Sequence, residues 1–388
     1  MSNFKVEVTR VLAVEDHPNA DRLSLVTVMG YLAISDKPDG KPRYAAGDLV
    51  VYISEAALLP EGILRKMGFW DAEKGKGSLA GGNGNRVKAM RLRGIFSLGL
   101  LYPVVDGAIE IPVFTNDVGD LGSSYYLTVA EGDDVGSELG IEKWNPPVPV
   151  HMAGEVCNIS GHPMKYDFDN FESVTDIFDG VVEVVATEKL HGTFSAIGLV
   201  PGLNHEELFG NGDIFVGSKG LGAQGLVFKD NPANDGNLYV KALRALLDNG
   251  FADRLRTLSA QHGNAPVHVF AEILGKGVQD LAYGFDKPVL RAFDIAVGRE
   301  FLSYDKFMTV AVALGLETVP EVYLGPFDVD ALRRHRDGKT TYGGVNIREG
   351  IVVRSTTEMR HPYHGRTIAK LVSPDYRLRK NKDATEYV

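Results

Sequence analysis

Short runs of β-branched and aromatic residues, each closed by Gly, Pro, Asn or Asp, dominate the first third of the chain. Phe4–Val14 alternates imperfectly, His17-Pro18-Asn19-Ala20-Asp21 reads as a turn, and Leu23–Val28 and Gly47–Ile53 read as further strands. No helical period runs long enough to dominate, so residues 1–142 predict a small β-barrel. Gly75–Asn85, with five glycines, predicts a mobile surface loop within it, since it lacks the spacing of a phosphate-binding loop and has no helix behind it. Trp144-Asn145-Pro146-Pro147-Val148-Pro149 forbids regular helix and predicts an extended, semi-rigid connector. A domain boundary between residues 142 and 143 follows, with a second domain over 143–388.

Beyond the connector the pattern alternates between buried strands and amphipathic helices. Val181–Ala186, Val267–Gly275, Arg291–Ile295, Gly350–Arg354 and Thr367–Val372 are apolar runs of strand length. Phe215–Gly220 predicts a strand running into a Gly turn, and residues 160–178 predict irregular chain. Leu238, Val240, Leu243, Leu246 and Leu247 fall at helical spacing within Leu238–Leu258, and Tyr304, Phe307, Val310, Ala311 and Leu314 do so within Ser303–Leu314. Each predicts one helix packed on a sheet, and the whole predicts an α+β fold. There is no internal repeat.

The candidate chemistry sits at the ends of these strands or within them. Glu188-Lys189-Leu190-His191-Gly192-Thr193 puts a lysine where the Val181 strand ends, with a tight Gly turn behind it. A desolvated lysine beside other cations offers a free amine, so Lys189 is a candidate covalent nucleophile. Glu272, Phe293, Glu349 and Lys370 lie on or beside the later strands. Taken one at a time, each is most simply a core strand with a solvated charged end.

Together, in this order, the runs resemble motifs I, III, IIIa, IV and V of the covalent nucleotidyltransferases, the superfamily of DNA ligases, RNA ligases and capping enzymes. The Lys-x-His-Gly-Thr form at 189–193, and Phe270-Ala271-Glu272-Ile273-Leu274-Gly275 followed by Gly277-Val278-Gln279-Asp280-Leu281-Ala282-Tyr283-Gly284, are similar to the nick-sealing RNA ligases. His17–Leu23 and Arg91–Leu100 look like the OB-like domain before the catalytic domain of the Deinococcus-type RNA ligases, and the first piece is also similar to tRNA-binding OB modules.

The resemblance implies an OB-like barrel followed by a nucleotidyltransferase domain of ATP-grasp-like antiparallel sheets with helices. It also implies an ATP-dependent ligase working through lysyl-AMP and an adenylylated 5′ end. Lys189 would attack ATP, Glu272 would hold the ribose, Phe293 would stack on adenine, Glu349 would help position Mg²⁺ or Mn²⁺, and Lys370 would contact the α-phosphate. Lys219 would touch a phosphate, Glu188, His191 and Gly192 are nucleotide-site candidates, and Arg91 and Arg93 are nucleic-acid contacts on the barrel. Motif V often reads Lys-x-Lys, whereas Ala369-Lys370-Leu371 offers one lysine, so Arg366 or Arg377 is a candidate for the second cation. A capping enzyme or DNA ligase would carry an OB domain after motif V, and only about eighteen residues follow Lys370. A noncatalytic nucleic-acid module would not need Lys189, Glu272, Glu349 and Lys370 on one scaffold.

Composition changes this picture little. Of 388 residues, 44% are hydrophobic and 24% charged, as in ordinary globular proteins, and the length suits two domains. No apolar run would span a membrane and no basic stretch precedes an apolar one at the N-terminus, so a cytoplasmic monomer is expected. The single cysteine, Cys157, excludes a disulfide framework and a Cys-rich zinc site and is expected to be buried. A net charge of −10 argues against nucleic acid until its distribution is considered. From Val345 to Lys382 nine basic residues face three acidic ones, and Arg86-Val87-Lys88-Ala89-Met90-Arg91-Leu92-Arg93 adds four cations with no acid.

Overall fold

In the computed structural model, residues 4–114, 121–144, 149–342 and 346–379 are described. Most of the proline connector, and Lys380 and Lys382 of the basic tail, therefore lie outside the described residues. The chain forms two compact units, Ser2–Pro146 with Phe171–Thr175, and Pro147–Asn170 with Asp176–Thr385. No helix among the described residues is long and apolar enough to cross a membrane.

The first unit is built on five antiparallel strands in the spatial order Leu100–Pro103, Leu49–Ile53, Val6–Asp16, Leu23–Val28, Tyr31–Asp36. The residues just before Leu100–Pro103 close on the opposite outer strand: Leu98 donates its amide to Leu32 O at 2.8 Å, and Ile34 N–H reaches Ser97 Oγ at 3.0 Å. Val50 and Val51 are both fully buried on Leu49–Ile53, second in that order, so this strand is covered on both faces: Val50 clusters with Val11, Val26 and Val28, and Val51 with Val8 and Tyr102. Phe171–Thr175 joins this unit through a hydrogen bond from Gly30 N–H to Glu172 O at 2.6 Å.

Gly75–Asn85 is not the mobile loop its composition predicts. Gly77 donates to Asn83 O, Leu79 to Gly84 O, and Ala80 and Arg86 exchange amide bonds, all between 2.8 and 3.1 Å. A Cβ on Gly77 would fall 2.1 Å from Gly84 O, so glycine serves here to let two backbones touch.

The second unit holds two antiparallel sheets. One runs Glu321–Pro326, Glu183–Lys189, Gly350–Ser355, Ile368–Val372, and the other Ile214–Ser218, Thr193–Leu199, Val267–Leu274, Val289–Val297, Glu300–Phe301. Helices Leu238–Leu247, Phe251–Gln261 and Tyr304–Ala313 cover the second sheet, burying Leu243, Phe251, Leu255, Phe307 and Ala311 against Val216, Val269 and Ile295. Each large apolar side chain withdrawn from water contributes about 1.5–3 kcal/mol. The single helix expected over 238–258 is two, because Asp248-Asn249-Gly250 turns the chain and Gly250 takes φ 75°, where a side chain is strained. Phe215–Gly220 also departs from expectation: the strand passes at Ser218 into the short helix Lys219–Ala223, whose first turn Ser218 caps through its hydroxyl. Cys157 is buried, as its isolation predicts.

A buried ionic hub in this unit escapes any local reading of the sequence. Asp294, with no exposed surface, accepts from Arg354 at 2.9 Å, from Tyr166 Oη at 2.9 Å and from Arg366. Arg366 is also bound to Glu358 at 2.7 Å. Removing one partner of such a group strands buried charge and typically costs about 3–5 kcal/mol.

Candidate active site

The strand Glu183–Lys189 of one sheet ends at Lys189, and Thr193–Leu199 of the other begins after three intervening residues, so Leu190-His191-Gly192 carries the chain from sheet to sheet. Lys189 is therefore held at the junction. In register, Thr187 faces Val352 and Val352 faces Lys370, while Lys189 lies two residues beyond Thr187. Residues opposite one another, or two apart, share a face, so Lys189 and Lys370 project from the same side of the first sheet. Lys189 Nζ makes an ion pair with the buried carboxylate of Glu349, which immediately precedes the paired strand.

Across the second sheet Phe194 faces Glu272. Gly192 lets the crossing chain lie against that strand: a Cβ there would stand 2.2 Å from Ile273 O, and its N–H donates to Glu272 Oε1 at 3.0 Å. Although part of Glu272 still reaches solvent, the protein surrounds its carboxyl closely. Burial pushes that carboxyl up to about 8, against the opposing pull of Lys189. Glu349 and Lys219 act on it more weakly.

Phe293 owes its place to a β-bulge. Phe270 pairs with Asp294 and Ala271 with Ala292, which leaves Phe293 as the extra residue and re-aims its ring. The ring is half-buried, 5.9 Å from Phe194 and 5.2 Å from Tyr166. The segment before the first sheet supplies a further piece: Asp167 Oδ1 accepts from Lys219 Nζ at 3.0 Å, and Lys370 N–H donates to Asp169 O at 3.0 Å. Despite the cost of burial, Lys219 and then Lys370 hold the Asp167 carboxyl below its usual range.

Two sequence candidates have side chains spent within the protein. His191 is buried, with Nε2 2.5 Å from Asp280 Oδ1 and Nδ1 2.8 Å from Tyr376 Oη. A carboxylate can only accept, so Nε2 carries a proton towards Asp280, and Nδ1 shares a hydrogen bond with the Tyr376 hydroxyl. The His191 amide is bound by Tyr283 Oη at 2.6 Å. Glu188 Oε2 takes the Thr341 amide at 2.8 Å and its hydroxyl at 2.7 Å, with Arg348 3.7 Å away. Both anchor the chain on either side of Lys189 to other parts of the protein. Arg366 is likewise engaged by Asp294 and Glu358. Asp280, Tyr283 and Tyr376 support His191 without having been singled out by sequence reasoning, although Gly277–Gly284, which contains the first two, stands out in the sequence.

Arg91 and Arg93 lie in the first unit, on the hairpin Met90–Leu92 and Ile95–Ser97, both exposed. Its turn, Arg93-Gly94, has positive φ at both residues, as the type I′ hairpin turn requires. The hairpin is fastened to the His17 turn: Asn19 N–H donates to His17 Nδ1, His17 Nε2 reaches Leu92 O at 3.1 Å, and Asn19 Nδ2 reaches Arg93 O at 3.0 Å. The two stretches that resemble an OB-like domain are thus one local assembly.

The carboxylates of Glu272 and Glu349 are gathered with the amines of Lys189 and Lys219 around the junction of the two sheets. Such oxygen donors fit a hard divalent cation better than a soft one.

The raised Glu272 carboxyl carries a stability prediction. The folded chain holds its proton where the unfolded chain has released it, so the stability this contributes is complete below the ordinary value of 4.5 and is lost as pH rises towards about 8. Glu272→Gln keeps the shape and cannot ionise. Its unfolding free energy in urea should therefore gain on the wild type between about pH 5 and pH 8, by about 1.4 kcal/mol for each pH unit crossed. Parallel pH profiles would refute the burial assigned to this carboxyl.

Residues 182–372 match the RNA ligase family model, and residues 5–104 match an OB-fold domain model. No curated protein matches the sequence. Among solved structures, a Naegleria gruberi RNA ligase mutant with AMP and Mn superposes with a TM-score of 0.71 at 19% identity, over 96% of this chain and 98% of that one. The Naegleria gruberi RNA ligase with PPi gives 0.69 at 19% identity, over 96% and 97%. Another mutant of that enzyme, with ATP and Mn, gives 0.70 at 18%, over 96% and 98%. At these identities the likeness speaks for the fold.

Proposed function

This chain carries an RNA ligase family domain behind an OB-fold domain and is an enzyme of that kind, and from that premise we propose that it seals 5′-phosphate and 3′-hydroxyl ends at nicks in RNA-containing duplexes, using ATP. The observation that carries the reading is the junction between the two sheets, where Lys189 meets Glu349 beside Glu272 and shares a sheet face with Lys370.

In the first step the Lys189 amine attacks the α-phosphorus, a P–N bond forms, and the bond to pyrophosphate breaks. AMP then passes to the 5′-phosphate, and the 3′-hydroxyl displaces it to form the phosphodiester. Lys370, on the same sheet face as Lys189, would meet the negative charge that grows on the α-phosphate, and preorganised cations stabilise such charge without reorganising. Lys219 offers a second cation, oriented by Asp167. Phe293 presents a ring face for adenine, and Glu272, protonated near neutrality, can donate as well as accept towards the ribose. Glu349 would hold Mg²⁺ or Mn²⁺, which supplies charge neutralisation at the phosphates. His191 and Glu188 act as positioning residues. Of the solved relatives, the Naegleria gruberi enzyme was captured with ATP, AMP, PPi and Mn, which supports the choice of nucleotide and metal.

We assign residues 1–142 to holding nucleic acid and 143–388 to adenylyl transfer, in a monomer working in the cytoplasm. Removing Arg91 and Arg93 together should weaken binding to a nicked duplex and flatten its salt dependence, each lost phosphate contact lowering the slope of log affinity against log salt by about one. Lysyl-AMP formation should be unchanged. A sealing matrix with RNA or DNA on each side of the nick tests the substrate. Joining of free single-strand ends in preference to nicks would overturn the nick assignment.

A further inference from the structure

Away from the Lys189 cleft, the turn His361-Pro362-Tyr363-His364 joins the short strands Arg360–His361 and Gly365–Arg366. The two histidines stand at the ends of that turn, and their rings stack 4.6 Å apart at 16°. Both point Nε2 at one carboxylate: His364 Nε2 is 2.7 Å from Asp176 Oδ1, and His361 Nε2 is 4.0 Å from Oδ2. The three donor atoms lie within 4.8 Å of one another.

We propose that Asp176, His361 and His364 form a binding site for a first-row transition dication of the Zn²⁺ class, clipping the 361–364 turn to the segment that leads into the nucleophile's strand. A cation about 2.0–2.2 Å from each donor needs donors about 3–3.5 Å apart, and the observed separations bracket that range. Two neutral imidazoles and one carboxylate suit zinc, nickel or iron in preference to magnesium or calcium. As a bare ion pair the cluster is poorly motivated: Asp176 is 52% exposed, where a pair is worth little, and two protonated rings at stacking distance would repel. The exposed side leaves further coordination positions to water, so the ion would exchange. Among the described residues two contacts give way when the ion binds: the 2.7 Å hydrogen bond between His364 Nε2 and Asp176 Oδ1, whose atoms become ligands, and the long contact from Tyr363 N–H to His361 Nδ1 at 3.3 Å, given up when Nε2 binds metal and the proton resides on Nδ1.

A second cluster, Cys157, His205 and Glu207, has comparable spacing but is already served, since Lys229 Nζ lies 2.7 Å from Glu207. The assignment uses no residue of the proposed AMP site, so it stands or falls independently of it.

The test is calorimetric titration of Zn²⁺ into chelator-treated full-length protein without nucleotide. The wild type should bind one equivalent that His364→Ala, His361→Ala and Asp176→Asn each weaken at least tenfold, while lysyl-AMP formation is retained. Equal zinc binding by wild type and His361→Ala/His364→Ala would overturn the site, as would no binding by the wild type. X-ray absorption on the zinc-loaded wild type guards against a misfolded variant: a shell with two imidazoles is expected, and a shell without histidine contradicts the proposal.

Discussion

Lys189→Ala is expected to lose ATP-driven strand joining outright, yet still to seal a 5′ end supplied already adenylylated. On the proposed mechanism Lys189 is needed only to capture AMP, whereas the final displacement would use the 3′-hydroxyl and the surrounding charges. The side chain is 22% exposed and ends its strand, so alanine leaves the pairing of that residue with Gly350 in place. Loss of its ion pair would leave Glu349 without that contact, and some destabilisation follows. Gel-resolved sealing of matched substrates, with and without pre-formed AMP, separates the cases. Loss of both activities together would mean that Lys189 serves the integrity of the site and not nucleophilic attack.

Lys370→Ala should slow lysyl-AMP formation about 100-fold to 1000-fold, the usual cost of removing one preorganised contact to developing charge. Lys370 is 6% exposed in the middle of the strand Ile368–Val372, with neighbours Ala369 and Leu371 buried on the other face. Truncation there removes charge and some packing, so Lys370→Met, which keeps most of the volume, provides the control. Both variants should lose the rate, and the methionine variant should melt near the wild type. Normal adenylylation in Lys370→Met would assign the α-phosphate contact to another cation, with Lys219 first in line.

The strands that carry the candidate chemistry were legible because each is a short apolar run with a charged residue within or beside it, and each lies within a few residues of its expected bounds. The order of those runs carried the family, and the RNA ligase match over 182–372 agrees. What the sequence hid is mostly long-range. Asp294 meets Arg354 sixty positions away and His191 meets Asp280 eighty-nine away, and no local period records such pairs. The aim of the Phe293 ring depends on a bulge visible only once two strands are in register. The glycines of 75–85 misled because glycine also permits close backbone contact, which composition cannot tell from looseness. The split helix after Leu238 shows the reverse: Gly250 was there to be read, and the leucine spacing outweighed it.

The central claim is that Lys189 takes AMP covalently. Incubating the full-length protein with α-labelled ATP and Mn²⁺, then mapping the labelled peptide, tests it most directly. The account predicts an adduct that is labile in acid and stable in alkali, as a phosphoramidate must be, carried on the peptide containing Lys189 and absent from Lys189→Ala. A label on another residue, or one that persists in Lys189→Ala, would contradict it.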